Sequence, residues 1–135
     1  MRFLGVDFGG ARIGLAVGES EFGITTARPN IASEKSLAKN AELLSKFAKR
    51  EDVERIVLGI PLYSDDRMAN VCRQLGEQLK ALGWHVELVD ESYTSVEAET
   101  DLRQYDLKAS QRRKLRDGEA ARRILERFFI EQAGA

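Results

Sequence analysis

The first third of the chain alternates short apolar runs with glycine and proline, a pattern typical of β-strands joined by tight turns. Residues 3–8 (FLGVDF) and 12–17 (RIGLAV) predict two strands, and the glycines between them predict a hairpin. Residues 23–27 predict a weaker third strand that ends at Pro29. The chain therefore begins with three strands joined by short links.

Apolar positions at helical spacing follow, together with one buried strand. Ser33 is the predicted N-cap of a first helix. The inward positions of this helix are Leu37, Ala41, Leu44 and Ala48. Residues 55–60 (RIVLGI) are almost continuously apolar, which is typical of a strand covered on both faces, and Pro61 closes that strand.

The second half of the chain predicts three further helices and one more strand. A helical stripe stops at Gly83 and consists of Met68, Val71, Cys72, Leu75, Leu79 and Leu82. Residues 85–89 predict a strand and residues 95–105 a helix. Residues 117–132 predict a final helix, whose apolar stripe is Ala120, Ala121, Ile124, Leu125 and Phe128.

This order of elements predicts an α/β fold in one domain over residues 1–135. Hairpins first and crossovers later imply a mixed five-stranded sheet flanked by helices, with the first three strands antiparallel and the last two parallel. Hydrophobic residues make up 43% and charged residues 32% of the chain, which is typical of a globular domain. No apolar run approaches the ~20 residues that span a bilayer, so no membrane partner is expected.

Composition limits the possible metal chemistry. The single cysteine, Cys72, excludes an internal disulfide framework and suits a reducing cytoplasm. The only histidine is His85, so a zinc site is not expected. Any metal would then be a hard ion bound by oxygen atoms.

Acidic residues occur at three points where they would face a ligand. Asp7 lies near the end of the first strand, at the carboxyl end of the sheet, where α/β proteins bind ligands. Asp90 and Glu91 end the last strand, and alternation allows only one of them to face a given site. Asp117 precedes two alanines of the final apolar stripe by three and four residues, which directs it toward the sheet.

Each acidic position also has a purely structural interpretation. Asp7 would bond turn amides, the acidic pair would cap the next helix, and Asp117 would be an N-cap. Taken together, however, three clustered anions need cations to stay ionised. Mg²⁺ or Mn²⁺ suits such carboxylates, and two ions about 4 Å apart would clamp a phosphodiester. The cluster therefore predicts a nuclease.

Basic residues are concentrated just before Asp117. Residues 1–102 contain 12 Lys and Arg against 17 Asp and Glu, whereas residues 103–135 contain 9 against 5, within a net charge of −1. The densest basic stretch, predicted as a mobile loop or a frayed helix start, contains Lys108, Arg112, Arg113, Lys114 and Arg116. This segment is either a phosphate clamp or a solvated surface that balances the acidic body.

Four motifs occur in the order VDFGGARIGLAV, IVLGIPL, VDESYTSVEAE and DGEAARRIL. Together they resemble the YqgF family, also called the RuvX-like family of Holliday junction resolvases and pre-16S rRNA nucleases, over nearly the whole chain. The resemblance implies a ribonuclease-H-like fold and metal-dependent cleavage of structured nucleic acid, either branched DNA or precursor ribosomal RNA. The family's acidic positions match Asp7, Glu91 and Asp117, which selects Glu91 over Asp90.

Two positions depart from the family's pattern. Ser92 stands where the family usually has an arginine, and the loop after Pro61 carries Asp65 and Asp66 where the family is richer in glycine. Both changes weaken the expected grip on phosphate. The three acidic positions are intact, which favours an active enzyme.

Two other functions compete with a nuclease. The hairpin after Asp7 also resembles that of sugar kinases and actin-like ATPases, which use two copies of this fold, whereas 135 residues supply one. A non-catalytic RNA-binding or transcription-associated module is favoured by Ser92 and the acidic loop, and disfavoured by the intact acidic positions. The choice of DNA or RNA stays open, as does the choice of monomer or homodimer. A four-way junction has two-fold symmetry and would favour a dimer.

Overall fold

A five-stranded mixed sheet forms the centre of the computed structural model, which describes residues 1–61, 66–90 and 109–133. Its strands are β1 (Arg2–Phe8), β2 (Arg12–Glu19), β3 (Ile24–Ala32), β4 (Arg55–Ile60) and β5 (His85–Asp90). They lie in the order β3-β2-β1-β4-β5, with β1, β2 and β3 antiparallel and with β4 and β5 parallel to β1. The predicted mixed sheet is confirmed.

Three helices of the described ranges cover the two faces of this sheet. They are α1 (Leu37–Arg50), α2 (Asp66–Ala81) and α3 (Ala109–Ala133), and of residues 66 and 109–116 only the backbone is described. Alternation along β1 separates the two faces. Leu4 and Val6 are buried with α1 and α2, whereas Phe3 packs with Ile124 and Leu125 of α3.

The prediction of Ser33 as the N-cap of α1 is wrong. Ser36 is the N-cap, and its hydroxyl accepts a hydrogen bond from an N–H of the first turn at 3.3 Å. Because β3 extends further than predicted, Ser33 is still held by the sheet. It donates its N–H to the Ala11 carbonyl at 3.0 Å and its hydroxyl to the Gly10 carbonyl at 2.7 Å. Ser33 therefore fastens the turn between β1 and β2.

β3 continues past Pro29, where the sequence predicted its end. Leu15 of β2 pairs with Arg28, but Ile13 pairs with Ile31, so β3 has two residues where β2 has one. This irregularity is a β-bulge. A proline has no N–H for strand pairing, but it is tolerated at a bulge and on an edge strand, and β3 is an edge of the sheet.

α3 begins at Ala109 and not at Asp117. Residues 109–116, predicted as a loop or a frayed helix start, form its first two turns. They contain no glycine or proline and are rich in Ala, Leu, Lys and Arg, which favour helix. Asp117 therefore lies inside the helix, and its interpretation as an N-cap is wrong.

The remaining elements agree closely with the predicted ones. β4 has the predicted bounds, and β5 ends at Asp90 instead of residue 89. α2 ends before a turn at Gly83 (φ +98°), although Leu82, predicted in the apolar stripe, is 48% exposed. The helix predicted over residues 95–105 lies outside the described residues. Within the described ranges, no helix has the length and apolar character to cross a membrane.

Candidate metal centre

Asp7 lies near the C-terminal end of β1, on the face of the sheet that α3 covers. It pairs with Gly14 of β2, and paired residues of antiparallel strands share a face. Phe3, which has the same alternation, packs against the Phe128 ring of α3 with the ring centroids 5.2 Å apart. β4 and β5 run parallel to β1, so their C-terminal ends lie at the same end of the sheet as Asp7.

The backbone of α3 rests directly on Gly14. A Cβ atom at this position would overlap the carbonyl group of Asp117, so only glycine fits. Gly118 makes a second close contact, because its Cβ would lie 2.8 Å from the Arg28 carbonyl oxygen. These contacts bring the Asp117 turn of α3 onto β2 at the residue that pairs with Asp7. Two of the three predicted acidic residues are therefore brought together on one face.

Two side chains that the sequence analysis did not identify hold the Asp117 carboxylate, whose side chain is 15% exposed. Arg12 Nε donates to Oδ2 at 2.6 Å and forms an ion pair, and Asn30 Nδ2 donates to the same oxygen at 2.7 Å. The position of Arg12 in the hairpin motif was a signal that could have identified it. Asn30 gave no such signal, because the strand was predicted to end at Pro29.

Asp90 is excluded from the face that carries Asp7. Val86 and Leu88 of β5 lie within reach of α2, at 3.8 and 3.9 Å from a Cβ built on Gly76. Asp90 has the same alternation as these two residues and therefore points to the α1–α2 side. Its backbone carbonyl accepts a hydrogen bond from Arg127 of α3 at 2.6 Å. Glu91, the other predicted member of the pair, lies outside the described residues.

The predicted basic segment is described only in part. Lys108 lies outside the described residues. The other members lie in the first two turns of α3, where only the backbone is described, and are Arg112, Arg113, Lys114 and Arg116. The helix runs without a break from these positions to Asp117, so they lie next to it along the chain. Their contact with phosphate stays a prediction.

The donor atoms at this site suit a hard cation. Cys72 is fully buried in the core on the α1–α2 side, and His85 lies at the start of β5, where it contacts Glu87 at 2.7 Å. Among the residues that the structure describes, no three His, Cys, Asp or Glu converge on one point, and the third predicted acid, Glu91, lies beyond that range. Carboxylate oxygens without nitrogen or sulfur ligands fit Mg²⁺ or Mn²⁺ and not a structural zinc ion.

The chain is similar to known proteins over almost its full length. The RuvX family model, described as Holliday junction resolvase, matches residues 1–131. A Burkholderia vietnamiensis protein named "Putative pre-16S rRNA nuclease" is 36% identical over 136 residues, which covers 96% of this chain and 89% of that protein. A Thermus thermophilus protein of the same name is 38% identical over 120 residues, which covers 87% of this chain and 84% of that protein.

Two solved structures share the fold. Thermus thermophilus RuvC in complex with a Holliday junction substrate superposes with a TM-score of 0.61 at 16% identity, covering 99% of this chain and 96% of that one. A Fowlpox virus resolvase in complex with substrate Holliday junction DNA superposes with a TM-score of 0.58 at 14% identity, covering 98% and 99%. These likenesses confirm the predicted ribonuclease-H-like fold.

The contact between α3 and β2 predicts that Gly14→Ala is destabilising. The added methyl group would push the Asp117 turn away from the sheet, and overpacking of this kind costs about 1–3 kcal/mol of unfolding free energy. Gly10→Ala is the matched control, because a Cβ there meets no atom within 4 Å. Urea denaturation of both variants measures the difference. Equal stability of the two variants would contradict the contact.

Proposed function

The chain belongs to the RuvX family of Holliday junction resolvases, and we propose that it is a metal-dependent endonuclease acting on structured nucleic acid. The observation that carries this proposal is the placement of Asp7 and Asp117 beside each other on the α3 face. Two carboxylates on neighbouring elements make a site of concentrated negative charge. Such a site favours a divalent cation.

Glu91 is the proposed third ligand of this site. The exclusion of Asp90 from the α3 face supports the choice of Glu91 from the acidic pair, as does the family's pattern. Asp7, Glu91 and Asp117 would hold Mg²⁺ or Mn²⁺ through carboxylate oxygens. When bound, one or two such ions would polarise the scissile phosphate and activate a water molecule for attack. Arg12 offsets one negative charge of the cluster through its ion pair with Asp117.

The proposed substrates are branched DNA and precursor ribosomal RNA. The names of the relatives support both, because they refer to Holliday junctions and to pre-16S rRNA. The first two turns of α3 would form the clamp on the sugar–phosphate backbone, since four basic positions lie there directly before Asp117. A homodimer would match the two-fold symmetry of a junction, whereas a monomer is sufficient for trimming ribosomal RNA. A cleavage panel with Mn²⁺, comparing a four-way junction, single-stranded RNA and an rRNA precursor, tests the proposal.

Loss of one acidic ligand should remove most of the activity. Asp7→Asn, Glu91→Gln and Asp117→Asn each delete an anion from the metal site, so we expect cleavage to fall by about 100-fold or more. Asp52→Asn is the matched control, because Asp52 is exposed in the turn after α1. Activity is measured on the best substrate of the panel. Full activity in Asp7→Asn would overturn the assignment.

The identity of the ion should matter to the reaction. Mg²⁺ or Mn²⁺ should support cleavage, whereas Ca²⁺ should bind and support it poorly. Ca²⁺ is larger and accepts looser coordination, so it would hold the phosphate less accurately. Cleavage rates in each ion, with excess chelator as the blank, measure this. Undiminished cleavage in excess chelator would contradict the proposal.

The basic turns of α3 should set affinity more than turnover. The triple variant Arg112→Ala, Arg113→Ala and Lys114→Ala should bind all substrates more weakly. It should also flatten the log–log salt dependence by about one unit per lost phosphate contact. Turnover at saturating substrate should fall much less, since the acidic ligands are unchanged.

A matched triple variant on α1 controls for charge alone. Lys46, Lys49 and Arg50 are exposed on the opposite side of the sheet, and their replacement by alanine removes the same charge. Affinity and salt slope are measured in Ca²⁺ to limit cleavage. An unchanged slope in the α3 variant would mean that the clamp lies elsewhere.

A further inference from the structure

Two donors from different strands converge on one oxygen atom of Asp117. Arg12 Nε approaches Oδ2 from the start of β2 at 2.6 Å, and Asn30 Nδ2 approaches it from β3 at 2.7 Å. Both hydrogen bonds fall on Oδ2, so they restrict rotation of the carboxylate about its Cβ–Cγ bond. A cation bound by Asp117 would therefore meet a carboxylate held in one orientation.

The β-bulge is what brings Asn30 to this position. Along β3, Thr25 and Ala27 face α3: Thr25 Oγ1 accepts a hydrogen bond from Arg122, and the Ala27 Cβ lies 3.0 Å from a Cβ built on Gly118. Regular alternation would place residue 29 next on that face and direct residue 30 to the opposite side. The extra residue between the Arg28 and Ile31 pairings shifts the pattern. The Asn30 amide consequently reaches α3, while Ile31 still packs in the α1–α2 core.

We propose that Asn30 and Arg12 are positioning residues of the metal centre, and that the role of the β-bulge in β3 is to direct Asn30 toward Asp117. This inference rests on the proposed function, in which Asp117 is a metal ligand. Both residues hold Oδ2, so that the carboxylate would be presented to a cation in one orientation. Side chains that hydrogen-bond a ligating carboxylate commonly change metal affinity by about 10- to 100-fold when removed.

Replacing Asn30 tests the positioning role alone, whereas replacing Arg12 would also change the charge of the site. The Arg12 side chain is 41% exposed and positively charged. Its removal would loosen the Asp117 carboxylate but would also remove a charge that repels a divalent cation, so two opposing effects would mix. Asn30 is neutral and half-buried. Its replacement removes the hydrogen bond without changing the net charge of the site.

The test measures Mn²⁺ binding to the full chain without any substrate. Electron paramagnetic resonance gives the dissociation constant for the wild type, Asn30→Ala, Asp117→Asn and Thr25→Ala. We expect Asn30→Ala to bind Mn²⁺ about 10- to 100-fold more weakly than the wild type. Thr25→Ala should bind like the wild type, because it removes a comparable hydrogen bond to α3 at a distance from Asp117. Adding Mn²⁺ should raise the melting temperature less in Asn30→Ala than in the wild type, whereas Thr25→Ala should show the same rise as the wild type.

The outcomes separate this inference from the proposed function. If Asp117→Asn loses Mn²⁺ but Asn30→Ala binds like the wild type, the positioning role is wrong and the metal site stands. If Asp117→Asn binds like the wild type, the metal assignment itself is wrong. Equal weakening in Thr25→Ala would show general loosening of β3 and overturn the positioning role. Asn30→Leu keeps the side-chain volume without a donor and replaces Asn30→Ala if that variant does not fold.

Discussion

The close approach of α3 to the sheet is the constraint on which the candidate site depends. At Gly14 the helix backbone meets the strand backbone, and at Gly5 a Cβ would lie 2.8 Å from the Ala121 carbonyl oxygen. Backbone atoms cannot adjust as a flexible side chain can, so these contacts leave α3 little freedom to slide or tilt. Ile124 and Leu125, both fully buried, stabilise the same interface. The position of the Asp117 backbone is therefore set by helix–strand packing, independently of its side-chain hydrogen bonds.

This packing has an electrostatic consequence. It removes most of the Asp117 side chain from water, and burial of a polar group costs free energy unless the group is hydrogen-bonded. The ion pair with Arg12 and the hydrogen bond from Asn30 offset that cost, since bonds to an ionised acceptor are among the stronger ones. Two carboxylates placed together in this way would favour a divalent cation, as the proposed function requires.

The two faces of the sheet differ in the size of their apolar core. The face under α1 and α2 carries a large apolar cluster that includes Leu44, Leu75 and Leu79, and it holds the lone cysteine, Cys72. The face under α3 has a smaller apolar cluster and also carries Asp7 and Asp117. A polar site is therefore built at the end of one layer while the other layer stays intact. Such a division lets the acidic edge of a ribonuclease-H-like fold concentrate charge without interrupting its main core.

The order of elements and the buried face of each helix could be predicted from the sequence, because both follow from local periodicity. The alternation along 3–8 and the stripe from Ala120 to Phe128 are examples, and the acids Asp7 and Asp117 stood out against those apolar patterns. The end of β3 and the starts of α1 and α3 could not be predicted from the same signals. Pro29 predicted the end of β3, but an edge strand with a bulge accommodates a proline and β3 continues. Ser33 was predicted as an N-cap, but its N–H is hydrogen-bonded to the Ala11 carbonyl.

Only the tertiary structure decided what surrounds the acids. Arg12, Asn30 and Asp117 are separated by 18 and 87 residues along the chain, and no local pattern relates them. A bulge had to turn Asn30 toward α3, and the contact at Gly14 had to bring the helix within reach. The sequence by itself determined which residues carry the charge, because residue types and periodicity are local. Their partners were decided by the packing of distant segments, which depends on contacts between elements and not on the spacing within one.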